Sequence, residues 1–123
     1  MHIYAYMHIC PYTNIKVEMN KEEAKARAKV VKALANPLRL MIVEMLSHGD
    51  YCVSELSRRC KVSQPTLSRH LARLKNAGIV SEYQRRLWVM HHLETPCVLD
   101  IVASAASVVK SDAARKSKAA SAD

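Results

Sequence analysis

Val62-Ser63-Gln64-Pro65-Thr66-Leu67-Ser68-Arg69-His70-Leu71 is the stretch that decides how this chain reads. Its polar residues come first, and Leu67, Leu71 and then Leu74 follow at helical spacing. Ser63 is a suitable N-cap, and Pro65 fits a first turn whose N–H groups have no intrahelical partner. Asn76-Ala77-Gly78 supplies the stop. Such a helix lays its leucines on a core and leaves Ser63, Gln64, Thr66, Ser68, Arg69 and His70 on its early turns, turned outward.

The flanks extend the pattern. Upstream, Asn20 with Glu23 three residues later resembles a capping box that opens a helix to about residue 35, with Val30, Val31 and Leu34 as its apolar side. Asn36-Pro37 opens a second helix, in which Leu38, Met41, Ile42, Met45 and Leu46 recur at helical spacing and Gly49 acts as the stop. A short helix over 53–60 turns Val53, Leu56 and Cys60 inward. Downstream, residues 79–93 alternate as two strands with Arg85-Arg86 near the turn. Pro96 opens a last helix with Val98, Ile101, Val102, Ala105 and Val109 on one side, widened by Leu99 and Ala106. That is more apolar surface than the terminal helix of a small monomer should expose, which predicts a homodimer contact.

Helix, helix, recognition helix and hairpin in this order make a winged helix-turn-helix, mostly α with a small β-hairpin wing. The expected organisation is an N-terminal arm over 1–19, a DNA-binding and dimerisation domain over 20–109, and a flexible Ala-, Ser- and Lys-rich tail over 110–123. In the arm, Ile3, Ala5, Met7 and Ile9 alternate with His2, Tyr4, Tyr6 and His8.

With 123 residues, half of them apolar, the chain suits one ordered domain. Phe is absent and there is one Trp, so aliphatic and Met side chains must fill the core. The net charge is +8, and its placement says more than its size. Arg58, Arg59, Lys61, Arg69, Arg73, Lys75, Arg85 and Arg86 face one acid, Glu82, across residues 58–86. A field that concentrated favours a polyanion, DNA first, over the alternative of a solvated basic face. No apolar run is long enough to cross a membrane and no signal-peptide pattern opens the chain, so a cytoplasmic location is expected. Cys10, Cys52, Cys60 and Cys97 form no C-x-x-C pair, which suits free thiols or ligands rather than a disulfide framework.

The polar residues of the 63–76 helix carry the chemistry of base reading. Gln64 can pair bidentately with adenine and Arg69 with guanine, while Ser63, Thr66, Ser68 and His70 suit base edges or phosphates. Arg85 and Arg86 can reach phosphates or the adjacent minor groove, and Arg73 the backbone.

At these residues a resemblance becomes specific. Ala33-Leu34-Ala35-Asn36-Pro37-Leu38-Arg39-Leu40, Tyr51-Cys52-Val53-Ser54-Glu55-Leu56, the Ser63-to-Leu71 run, Asn76-Ala77-Gly78-Ile79-Val80 and Trp88-Val89 resemble the ArsR/SmtB family of metal-sensing repressors, over about half the chain. The resemblance implies a homodimer formed through the first and last helices. It also implies a double-stranded operator in the form of an imperfect inverted repeat, released when an inducer binds. Two departures stand out. Arg86 and Lys61 occupy turn positions where the family commonly has Gly.

In arsenic- and cadmium-type members the third helix begins with Cys-Val-Cys. Here Cys52 is kept and Ser54 replaces the second thiol. A thiophilic ion such as As(III) or Cd(II) takes two to four thiolates, so Cys10 of the arm, with His8 or His2, is the expected complement. No resident cofactor is required. The last helix has no His, which removes the usual ligands of the family's zinc site there. Cys60 reads as a core residue, Cys97 as a small apolar one, and His91-His92 as packing residues. Thiol oxidation or a metabolite are rival inducers. The C-x5-R spacing of Cys52 and Arg58 also occurs in thiol phosphatases and arsenate reductases, but Val-Ser-Glu-Leu-Ser between them lacks Gly and carries Glu55, so no enzyme is expected. A basic packaging protein without sequence preference is the remaining reading.

Overall fold

The computed structural model describes residues 18–122. The first helix, α1 (Lys21–Leu34), starts on the expected capping box. Asn20 Oδ1 accepts from the Glu23 N–H at 2.9 Å, and Glu23 Oε2 accepts from the Asn20 N–H at 3.0 Å. Leu34 is its buried residue, whereas Val31 stands exposed. Asn36 caps α2 (Pro37–Leu46) by accepting from the N–H groups of Leu38 and Arg39. Ile42, Val43 and Leu46 form its buried face. Met41 is exposed, because the contact stripe runs through Val43 instead. Gly49 is not the stop: Ser47 already caps the helix, in right-handed backbone.

A strand of two residues, β1 (Tyr51–Cys52), comes next and runs directly into α3 (Val53–Cys60). Lys61 ends α3 in the left-handed region at φ 58°, where a Cβ is strained by about 1–2 kcal/mol. Ser63 then caps α4 (Gln64–Asn76), and Leu67, Leu71 and Leu74 are its buried stripe. Gly78, at φ 81°, turns the chain into β2 (Val80–Arg85). Gly is the residue that takes this conformation without strain.

β2 and β3 (Trp88–Leu93) pair antiparallel from Val80↔Leu93 to Arg85↔Trp88, which leaves Arg86-Leu87 as a two-residue turn. Arg86 takes φ 57°, and a positive φ at the first turn residue alone is the pattern of a II′ turn, which Gly normally fills. Both departures from the family pattern are thus met by left-handed basic residues rather than by a different geometry. β1 adds to the free edge of β3, so the sheet order is β1-β3-β2. The core gathers under this sheet and between α2, α3 and α4, where Ile42, Val43, Leu56, Leu67, Leu74 and Ile79 are fully buried.

The described residues divide at Pro96 into two compact units, the second carrying α5 (Val98–Ala122). Where the sequence predicts a flexible tail over 110–123, α5 continues through residues 110–122 as regular helix. Ala and Lys are strong helix formers, and Asp112 pairs with Lys116 and Arg115 one turn on. Ile101, Val108 and Val109 stand exposed along α5. The arm with His2, His8 and Cys10 lies outside the described residues.

Candidate nucleic-acid interface

The early turns of α4 are open. Ser63, Gln64, Ser68, Arg69 and Arg73 are exposed, Thr66 and His70 half-buried. Ser63 accepts the Thr66 N–H at 3.3 Å while its hydroxyl donates to Thr66 Oγ1 at 2.9 Å, and Arg69 Nη2 donates to the same oxygen at 3.3 Å. These bonds fan one cap hydroxyl and one guanidinium around Thr66, so the polar side chains start from a defined arrangement.

His70 is placed differently from its neighbours. Arg39 donates from Nε to the Ala33 carbonyl at 2.6 Å and from Nη1 toward His70 Nδ1 at 3.0 Å. A guanidinium has no acceptor, so His70 Nδ1 must accept, which leaves the ring neutral with its proton on Nε2. Burial, together with the charges of Arg39, Arg69 and Arg73, holds its pKa below the ordinary 6.5. Nε2–H remains as the ring's one N–H donor.

The wing presents Arg85, Arg86, Leu87 and Trp88 in solvent, with Leu87 91% exposed at the turn. Gln84 Nε2 donates to the Arg86 carbonyl at 3.1 Å and braces the turn from within. At the root, Asp50 ties both wing strands. Tyr83 donates to Oδ2 at 2.7 Å, and His92 Nδ1 lies 2.8 Å from Oδ1. The Asp50 hydrogen bond raises the His92 pKa against desolvation, helped by the charges of Asp50 and Glu94. Desolvation pushes Asp50 up, but Tyr83, His92 and Arg85 hold it below its ordinary value. His91, beside it, is buried and has no partner for Nε2 among the described residues. Burial lowers its pKa, while Glu82 pulls it up and Lys75 pushes it down.

These directions fix a pH dependence. The raised His92 adds stability that is complete below its ordinary 6.5 and fades as pH climbs through the higher folded value. The lowered Asp50 adds stability that is complete above its ordinary 3.8 and is lost as pH falls through the lower folded value. The pair therefore acts most between about pH 4 and pH 6.5. His70 and His91, both lowered, work the opposite way below 6.5, so the contribution must be read differentially. The Tm gap between the native chain and His92→Gln is expected to be wider at about pH 5.5 than at about pH 8. A gap independent of pH would remove the ion pair from the wing root.

Cys52 is buried, 7% exposed. Its Sγ sits 3.1 Å from Ser54 Oγ and donates to Glu55 Oε1 at 3.6 Å. It lines a cleft of about 660 Å³ with Ser54, Glu55, Met90, Trp88, Arg85 and Arg86, which places the thiol and the two wing arginines on one cavity. Among the described residues no three His, Cys, Asp or Glu side chains gather as a metal site. Arg58 lies on the exposed last turn of α3, and residues 53–60 are helix, so Cys52 and Arg58 frame no anion-cradling loop. Cys60 is half-buried rather than fully enclosed, and burial still raises its thiol pKa.

Sequence reasoning missed β1, the Arg39–His70 contact and the Asp50 cluster. No helix of the described residues is long and apolar enough to cross a membrane.

Residues 36–82 match the family described as "Bacterial regulatory protein, arsR family". The transcriptional activator HlyU of Vibrio cholerae is 38% identical over 88 residues, covering 69% of this chain and 81% of that protein. The arsenic resistance transcriptional regulator ArsR1 of Pseudomonas putida is 38% identical over 74 residues, 58% of either chain. The crystal structure of the transcriptional repressor BigR from Xylella fastidiosa superposes with a TM-score of 0.60 at 30% identity, covering 73% of this chain and 96% of that one. These are transcriptional regulators, not enzymes.

Proposed function

This chain belongs to the arsR family of bacterial regulatory proteins, and from that premise we propose that it is a homodimeric, sequence-specific DNA-binding repressor released by an inducer. The observation that carries the reading is the open N-terminal half of α4, with Gln64 and Arg69 exposed over a fully buried Leu67 and Leu74. A side-chain array of this kind can meet base edges only if its backbone is fixed by the core, and here it is. Arg73, Arg85 and Arg86 add phosphate and minor-groove contacts. The exposed Ile101, Val108 and Val109 of α5 supply apolar surface for a second copy. Two copies would meet an imperfect inverted repeat.

For the inducer, the reading favours a thiophilic ion, As(III) or Cd(II), at Cys52, with Cys10 and His8 of the arm completing the ligand set. Its support is twofold. A relative named for arsenic resistance is 38% identical over the matched region, and the Cys52 cleft also contains Arg85 and Arg86. A ligand there would touch the wing directly, so it could favour a geometry that no longer fits DNA. Couplings between sites are typically about 1–3 kcal/mol, or 5- to 150-fold in affinity.

The test is fluorescence anisotropy of the reduced protein on DNA from upstream of its own gene, titrated with arsenite and then with cadmium. Tight, salt-sensitive binding, abolished by a stoichiometric ion and made insensitive by Cys52→Ser, is the expected result. Binding indifferent to both ions discards the sensing site and keeps the regulator, and equal affinity for random DNA discards the operator.

A further inference from the structure

We propose that the cleft between the end of α1, the start of α2 and the end of α4 is a binding site for a multiply charged oxyanion of the phosphate type. The cleft measures about 440 Å³, and its charged lining consists of Lys29, Lys32, Arg39 and Arg73, with no carboxylate. The remaining lining is alanine and Asn76.

The simpler account is a solvated basic face that complements helix ends. It covers Lys32 and Arg73, which lie in the last turns of α1 and α4, where a cation is favoured. It does not cover Arg39. That residue sits in the first turn of α2, the positive end of the helix dipole, in a turn with no acidic residue. Arg39 is nevertheless held in place by the Ala33 carbonyl and His70. Those two bonds use Nε and Nη1 and leave the Nη2 donors unspent. The side chains of Lys29, Lys32 and Arg73 make no hydrogen bond or ion pair among the described residues. Among the described residues, four cations thus share one concavity whose lining holds no carboxylate. The Leu38 and Arg39 N–H groups are already taken by Asn36, so side chains, not the helix backbone, would hold the anion.

The depressed pKa of His70 is consistent with this positive field, since Arg39, Arg69 and Arg73 all contribute to it after burial. An anion in the cleft would offset the field. Arg39 joins the cleft to His70, so occupancy would reach the middle of α4. This goes beyond the DNA reading and does not depend on it, because the ligand chemistry is shared by two sources: a phosphate of the DNA backbone and a free phosphate-bearing small molecule.

The experiment uses the full chain and inorganic pyrophosphate, with sodium chloride at matched ionic strength as the control. Histidine ring NMR is followed against pH, in the native chain and in the Lys29→Gln/Lys32→Gln double variant. Both lysines are exposed, so the variant should fold normally, which thermal melting checks. The expected result is a saturable response to pyrophosphate with a rise in the His70 pKa, weakened about tenfold in the double variant. The salt dependence of DNA binding then separates the sources. A slope reduced by roughly 1 to 2 in the double variant assigns the cleft to backbone phosphates, at about 0.9 per contact. An unchanged slope with saturable pyrophosphate binding assigns it to a free phosphorylated molecule. An unsaturable response equal to that of sodium chloride, with an unchanged DNA slope, overturns the proposal.

Discussion

Leu67→Ala is expected to lower the free energy of unfolding by about 3 kcal/mol and to remove specific DNA binding before it removes the fold. Leu67 is 0% exposed and lies one turn into α4, between Thr66 and Ser68. Truncating a buried leucine loses the transfer free energy of its methyl groups and leaves a cavity, with a spread of about 2–5 kcal/mol set by how far the site collapses. Against a total of about 5–15 kcal/mol for a domain, the loss is severe but need not unfold the chain. Its position turns it into a functional lesion as well. Any collapse of α4 toward the cavity displaces Gln64, Thr66 and Arg69, the residues that depend on that turn. Urea unfolding should show a lower midpoint at unchanged m, and anisotropy well below the melting temperature should show weakened operator binding. A loss under about 1 kcal/mol would mean that α4 is not seated on this residue.

The second large effect separates two arginines with the same charge and different surroundings. Arg69→Ala should cost about 1–3 kcal/mol on the operator and much less on unrelated DNA, so that specificity relaxes. Arg69 rests on Thr66 Oγ1, which is itself held by the Ser63 cap, so the guanidinium starts near the helix face presented to bases. Arg85 ends β2 at the wing turn, and among the described residues no hydrogen bond aims its guanidinium at one base. Arg85→Ala should weaken all sequences about equally and lower the salt slope by about 0.9. Binding isotherms on operator and scrambled duplexes at several salt concentrations read both quantities. If Arg85→Ala changes base preference and Arg69→Ala only the salt slope, the two roles are exchanged.

What the sequence made legible was local. Caps sit within three residues of the groups they satisfy, so Asn20-Glu23, Asn36-Pro37 and Ser63 could be read directly, as could the Leu67-Leu71-Leu74 stripe. The chemistry of the outward face of α4 followed from the same periodicity. The misses are contacts between residues far apart in the chain. β1 has two residues and no periodicity, and exists only because β3 offers an edge. The Arg39–His70 bond spans 31 positions and the Asp50–His92 bond 42, and no pattern along the chain announces either. His70 therefore read as a reader of bases like its neighbours, although one of its two ring nitrogens is committed to Arg39. Met41 and Val43 flank the Leu38-Ile42-Met45-Leu46 stripe on opposite sides, and only the neighbouring helices choose which of the two is buried. The polarity of residues 110–122 points to a flexible tail, while their Ala and Lys content favours the helix they form.

The pairing of Tyr51 with His91 and of Cys52 with Met90 has a consequence for how the chain folds. Every other element forms from neighbours in sequence, but this pair closes a loop that contains α3, α4, β2 and the hairpin turn. The entropy of closing such a loop must be met before its hydrogen bonds contribute, so β1 is expected to join last. Cys52 sits on that final seam and is buried once it closes. Its thiol is therefore expected to time refolding, labelled by a thiol reagent while the helices form and protected once the chain reaches its native state.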